Sequence, residues 1–453
     1  MKKALSIVLA VMLAVSLMGV AVAEEAFRID DWEIPPTGNT FVIYGWNDEF
    51  QTMLSDYYIK AIGGTYDAKS GMFILPNGDR IEYSKTPNEN GEYQKNLDMA
   101  LMNGAHVDMF LLEADYALKY VDSDYTKPLA DIGIDEATMA ANQYEYTIDV
   151  ARDSQGVVKA SSWQATPGLF LYRRSLAEKY LGVTTPEEMQ EKVKDWDALL
   201  ETAREVDRIS EGQTKLIPSV GDVWQVIRDR RAAPWVDEAY NLVIDDQVAW
   251  YFEFAKTLRE ENLTAEATPW SNAWNAGIGN DSIMGYFFST WGIQFTMLDN
   301  CNGTKPGEGT YGDWAAVPGP QPYYWGGTWL ATSSTCTNDA LARDIIEYFT
   351  IRTDSMQDYC LKSYDYVNNA TAVQNIIDSG YSFDFLGGQD HYSLFQAATP
   401  LIDTSAMSAY DQNINIALDA EVNAYANGDI DYDTAIQRFK DTVTDLYPEI
   451  TAD

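Results

Sequence analysis

Apolar positions along this chain alternate between two kinds of run. Short, nearly continuous runs at 41–45, 107–112, 169–172, 216–219, 283–288 and 314–318 read as buried strands. Between them apolar residues recur at helical spacing. The first set is Phe50, Met53, Leu54, Tyr57, Tyr58 and Ile62, stopped by Gly63-Gly64. Later sets are Leu97, Ala100 and Leu101, then Trp196, Leu199, Leu200, Ala203 and Val206, then the amphipathic stretches 248–263 and 338–352. A helical hairpin over 414–426 and 434–447, joined through Gly428, closes the chain. Two helix starts have capping-box form: Ser175 with Glu178, and Thr185 with Glu188, the second with Pro186 at the first helical position. Residues 65–91 are turn-rich and read as a short hairpin insertion around Asn77-Gly78. Strands that alternate with helices predict α/β units with mainly parallel sheets flanked by helices.

One stretch organises the rest. Residues 161–174, SSWQATPGLFLYRR, run from a polar pair and Trp163, through a break at Pro167-Gly168, into an apolar strand and a helix start. Residues 325–331, Trp-Gly-Gly-Thr-Trp-Leu-Ala, repeat that break-then-strand pattern. We read residues 161–174 as a crossing point between two lobes, with Trp163 facing the gap. The alternative for 161–174 is an ordinary loop–strand–helix connection with a core tryptophan.

The N-terminus sets the compartment. Lys2 and Lys3 precede an apolar stretch over 4–22, and Ala21-Val22-Ala23 before Glu24 is a small-x-small cleavage signal. This is a secretory signal peptide, cleaved after Ala23; an uncleaved N-terminal anchor is the alternative. No cysteine sits beside the cleavage signal, so lipid attachment there is not supported, and no second long apolar run follows. The remainder, roughly 430 residues, exceeds one small core and predicts two lobes. The expected division is 24–160 for the first lobe, 161–334 for the second, and 335–453 as a return segment with terminal helices on both.

Net charge is −38, and −40 without the two leader lysines. Such a surface repels nucleic acid and anionic lipid and tolerates neutral or cationic ligands; habitat alone can also produce it. Charged residues at 22% and aromatics at 13% exclude a disordered chain. The cysteines are Cys301, Cys336 and Cys360, and the histidines His106 and His391. Without a CxxC or a Cys/His cluster, no structural zinc site and no cofactor are expected.

Catalytic patterns are missing. Neither histidine has a serine motif beside it, and there is no G-x-S-x-G, GxxxxGK[ST] or GxGxxG. Two carboxylates are all a glycosidase needs, so a secreted glycoside hydrolase stays open as the alternative. What recurs instead is an aromatic beside an amide, carboxyl or small polar residue at strand ends and breaks. The instances are Trp46-Asn47-Asp48-Glu49, Trp163-Gln164, Ser289-Thr290-Trp291, Trp325-Gly326-Gly327, and Tyr364-Asp365-Tyr366 followed by Asn368-Asn369. A sugar ring offers an apolar face to stack on aromatics and a rim of hydroxyls for carboxylates and amides. For any single tryptophan, core packing is the competing reading.

These segments resemble the extracellular solute-binding proteins of carbohydrate ABC importers, the family of maltose-binding protein. The resemblance is carried by Tyr44-Gly-Trp-Asn-Asp48, Val107-Asp-Met-Phe-Leu-Leu-Glu113, Pro167-Gly-Leu-Phe-Leu-Tyr-Arg173, Gly326-Gly-Thr-Trp-Leu330 and the C-terminal hairpin. It implies a two-lobed periplasmic-binding-protein-like α/β fold with the ligand cleft between lobes. It also implies a monomeric, non-enzymatic subunit that closes on a neutral carbohydrate and delivers it to a membrane permease. By the same resemblance the cleft residues are Trp46, Asn47, Glu49, Asp115, Trp163, Trp291, Trp325 and Tyr366. Many Gram-positive members carry a lipobox cysteine at the cleavage site, and this chain does not. A binding protein for a peptide or polyol is the remaining alternative.

Overall fold

A computed structural model describes residues 27–228 and 231–452 of the protein, apart from the side chain of Asn90. The expected signal peptide lies outside the described residues. Among the described residues, ten strands form two sheets. The first runs in the order β2 (Thr65–Asp67), β3 (Met72–Ile74), β4 (Arg80–Lys85), β1 (Thr40–Gly45), β5 (Met109–Glu113), β10 (Thr328–Thr332) and β6 (Ala160–Ser162). The second runs β8 (Gly285–Ser289), β7 (Gly168–Arg173) and β9 (Trp314–Val317). Helices cover both, giving a two-lobed α/β protein.

The parallel part of the first sheet is its centre, where β1 pairs in parallel with β4 and β5. Its flanks and the three-stranded sheet pair antiparallel. The cause is connectivity. β2 to β4 are joined by tight turns, and β10 re-enters the first sheet from the second lobe. The strand expected at 216–219 appears as single parallel bridges, Lys215 to Ile283 and Ile217 to Thr264, that extend the second sheet beyond β8.

Burial explains which elements the pattern revealed. β7, β8 and β9 are buried at every position, hence their continuous apolar runs. β4 alternates between exposed and buried positions, so residues expected as an inserted hairpin supply a strand next to the central one. The Thr185 capping box forms, with Glu188 N donating to Thr185 Oγ1 at 3.3 Å and Glu188 reaching back. The Ser175 box does not. There the helix Arg174–Leu181 starts two residues further into the strand end, and Asp313 accepts from Ser175 N at 2.9 Å instead.

Ser161, Ser162 and the strand Thr328–Thr332, expected in the second lobe, belong to the first sheet. Three segments therefore link the sheets and lie side by side. Asn368 N donates to Trp163 O at 2.9 Å and Ala165 N to Tyr366 O at 3.1 Å. Trp325 N donates to Thr166 O at 3.0 Å and Gly168 N to Tyr323 O at 2.8 Å. The helical hairpin, Asp411–Ala426 and Tyr432–Leu446, turns at Gly428, which has φ +77°. Its first helix packs on Asp246–Glu260 of the second lobe and on Ala114–Val121 of the first.

Candidate functional site

The site is assembled where strand ends meet the three crossing segments. β1 ends at Gly45, where a Cβ would lie 2.0 Å from the Tyr83 hydroxyl, so only glycine lets the chain pass. That hydroxyl donates to Asn47 O at 3.0 Å, and Asn47 Oδ1 accepts from Glu49 N at 3.1 Å. Asn47 is thus spent on shaping the turn. Trp46 is half-buried, edge-on to Tyr93 at 5.4 Å and to Tyr116 at 6.2 Å.

Glu49 opens the helix Glu49–Met53 and turns towards Asp365 of the third crossing. Burial, then the nearby Asp365 charge, pushes its pKa up to about 8. Its Oε1 is buried without a hydrogen-bond partner. Asp365 is fully buried and joins all three regions: it accepts from Gln164 Nε2 at 2.8 Å, Thr290 Oγ1 at 2.6 Å and Tyr366 N at 2.8 Å. Burial raises it to about 6, against the pull of those donors. A protonated Glu49 is a hydrogen-bond donor as well as an acceptor.

Thr290, which donates to Asp365, is followed by Trp291, the middle of a wall of tryptophans. Trp291 follows β8, and its Nε1 donates to Trp325 O at 2.8 Å, with ring centroids 5.2 Å apart. Trp270 stacks on Trp291 at 5.5 Å and 23° and lies 5.8 Å from Trp325. Trp270 has φ +70° and is 55% exposed. A bulky residue held in the left-handed region costs free energy, and such positions concentrate at ligand clamps. Gly326, at φ +75°, lets the chain pass between Trp291 and Glu113. Asp115 pairs with Arg228 at 2.9 Å, joining the first lobe to the helix Val220–Ile227. Asp115, Trp270, Trp224, Gln225 and Arg228 line a cavity of about 360 Å³.

The structure thus brings Trp291 and Trp325 together, sets Glu49 against Asp365, and places Asp115 at the lobe junction. Two expected cleft residues sit differently. Trp163 is 1% exposed and stacks on Phe50 at 5.3 Å and 20°, inside the first lobe rather than at a rim. Its Nε1 nevertheless has no partner. Tyr366 is buried on the other side of its segment, stacked on Tyr144 at 5.6 Å with the two hydroxyls hydrogen-bonded. Successive side chains of an extended segment point opposite ways, so Asp365 and Tyr366 cannot both face the tryptophans. Residues missing from the expected set are Trp270, Asp365, Gln164 and Arg228. Two of these had a sequence signal, the polar–aromatic couples at 163–164 and 364–366. A tryptophan in a polar loop was the only sign of Trp270.

His391 is buried and pushed down to about 4, with Nε2 3.1 Å from Tyr364 O. His106 lies beside Asp108 at 2.8 Å. The three cysteines are free thiols. Among the described residues, no group of three or more His, Cys, Asp or Glu is placed to hold a metal, and no helix is long and apolar enough to cross a membrane.

A family model for bacterial extracellular solute-binding protein matches residues 77–381. The chain belongs to this family. Solved structures agree on the fold. A crystal structure of an extracellular solute-binding protein of family 1 has a TM-score of 0.74 at 17% identity, covering 90% of this chain and 99% of that one. The ABC transporter associated binding protein of B. animalis subsp. lactis Bl-04, in complex with β-1,6-galactobiose, has 0.68 at 16%, covering 91% and 99%. The galacto-N-biose-/lacto-N-biose I-binding protein of Bifidobacterium longum has 0.69 at 12%, covering 92% and 98%. No curated protein matches.

The buried acids give this solute-binding protein a defined pH response. Glu49 and Asp365 are raised to about 8 and about 6, and Asp222, buried with Trp274 Nε1 at 2.9 Å, to about 7. Each holds its proton more tightly folded than unfolded. Their contribution is complete below the unfolded values of 3.8 to 4.5 and is lost as pH rises through 6, 7 and 8. His391 acts oppositely, disfavouring the fold as pH falls from 6.5 towards 4. From about pH 5 upward the three acids outweigh His391, so ligand-free protein is expected to melt progressively lower towards pH 8. Glu49→Gln should flatten the upper part of that slope. A melting temperature that climbs from pH 6 to 8 would contradict the assignment.

Proposed function

We propose that this protein is the extracytoplasmic binding subunit of an ABC importer and takes a neutral carbohydrate, an oligosaccharide, between its lobes. The observation that carries this reading is the tryptophan wall of Trp270, Trp291 and Trp325, tied through Thr290 to the buried Asp365. Indole faces suit the apolar faces of sugar rings. Glu49 Oε1 and Trp163 Nε1, buried and unpartnered, offer an acceptor and a donor to hydroxyl groups. The three-segment crossing supplies the hinge about which two lobes close, with Asp115–Arg228 as a contact of the closed form.

Support also comes from the solved relatives that hold β-1,6-galactobiose or are named for lacto-N-biose. The protein would act as a monomer, exported and cleaved after Ala23, and pass its ligand to a membrane permease without chemical change. The lobe division follows the sheets, with crossings at 163–167, 323–327 and 365–368. Within it, Trp46, Glu49, Asp115, Trp291 and Trp325 are assigned to the cleft, with Trp163 contributing only its ring nitrogen. Asn47 shapes the turn, and Tyr366 supports the crossing.

The test is a panel of neutral mono- and oligosaccharides followed by tryptophan fluorescence and thermal unfolding. A ligand at a hundred times its Kd should stabilise the fold by about 2.7 kcal/mol. Flat fluorescence and unchanged melting across the panel would sink the sugar reading. Release of shorter sugars during incubation would instead favour a hydrolase using the Glu49 and Asp365 carboxyls.

A further inference from the structure

A further cavity lies away from the tryptophan wall. It has a volume of about 680 Å³, within the range of small-molecule sites. One side comes from Gln143, Tyr144, Tyr146 and Leu118 of the first lobe, the other from 399–407, the segment leading into the C-terminal hairpin. Each tyrosine is backed by a crossing segment. Tyr144 stacks on Tyr366, and Tyr146 lies 5.9 Å from Tyr324 and accepts from Thr166 N at 2.8 Å. Tyr324 donates to Met407 Sδ at 2.8 Å, closing the ring of contacts. Trp325 and Asp365, the next residues along and before, point to the tryptophan wall and Thr290 instead.

We propose that this cavity is a second binding site, for a small uncharged polyol or monosaccharide, on the face of the crossing turned away from the tryptophans. Three features select that class. First, Gln143 is 8% exposed, and its amide nitrogen is used inward, on Ser161 Oγ at 2.9 Å and Thr350 O at 2.7 Å. Its Oε1 has no partner, which leaves a buried acceptor that a ligand hydroxyl would satisfy. Second, Arg152 is already paired with Glu136 at 2.6 Å and with Asp149 at 3.1 Å, so an anion finds no uncommitted guanidinium. Third, the acids lining the cavity, Glu145, Asp149 and Asp403, are solvent-exposed, while the inner acceptor is a neutral amide. An amide does not repay the cost of burying an ammonium, but it suits a hydroxyl. Tyrosine faces and the apolar Leu118, Val150 and Ile402 then cover the CH groups.

The site does not depend on the reading of the tryptophan wall, and calorimetric titration separates the two. The probes are mannitol, glucose, maltose and ethanolamine. The variants are Ser405→Trp, at the exposed mouth of the cavity, Ile402→Trp as a second blocking change, and Trp291→Ala. A neutral probe should bind with an affinity that survives Trp291→Ala and falls at least roughly tenfold in both blocking variants, whose melting temperatures stay near that of the parent. If that binding persists while nothing is sensitive to Trp291→Ala, the tryptophan reading fails and this site stands. Binding of every neutral probe that is lost in Trp291→Ala and untouched by both blocking variants overturns the proposal. So does blocking-sensitive binding of ethanolamine with none for the three neutral probes.

Discussion

Trp291→Ala is expected to weaken carbohydrate binding by roughly 10- to 100-fold, the range for loss of a central aromatic anchor. Trp291 is the middle of the wall. It stacks on Trp270, meets Trp325 edge-on and fixes the crossing backbone through Nε1 to Trp325 O. Its removal therefore takes away a stacking face and leaves Trp270 only the tilted contact with Trp274 at 5.3 Å and the edge contact with Trp325 at 5.8 Å. The ring is half-buried, so the fold should survive with a loss of about 1–2 kcal/mol. Titration together with a melting curve reads both quantities. Unchanged affinity in a folded variant would remove the wall from the site.

Trp163→Ala should show the opposite balance: a stability loss of about 3–5 kcal/mol, the usual cost of truncating a buried aromatic. The indole is stacked on Phe50, which itself packs edge-on to Phe349 at 5.2 Å, so the cavity would open inside the first lobe. Denaturant unfolding checks this. A variant as stable as the parent, with binding alone impaired, would put Trp163 back at a rim. Trp163→Phe keeps the packing but deletes Nε1; it isolates what the ring nitrogen gives to the ligand.

The contrast between these two tryptophans shows what was readable in the sequence. Both follow or adjoin a strand and both have polar neighbours, so local pattern treats them alike. What separates them is the partner: Phe50 is more than a hundred residues from Trp163, whereas Trp270 and Trp325 come from a loop and a crossing on either side of Trp291. The strands of the second sheet were legible because both their faces are buried. The C-terminal hairpin and the Thr185 box were legible because capping and helical spacing are local. β4 was hidden by its half-exposed alternation. The exchange of Asp365 for Tyr366 turned on a single step in an extended segment, which reverses the face each side chain meets. The Ser175 box failed because Asp313, far along the chain, offered the amide a charged acceptor.

The most direct test is a structure of the protein with the tightest-binding oligosaccharide from the panel. A sugar ring should lie against Trp270 and Trp291, with hydroxyls on Glu49 Oε1 and Trp163 Nε1 and the Asp115–Arg228 contact kept. A sugar bound elsewhere, with Glu49 and Trp163 still unpartnered, would contradict the assignment of the cleft.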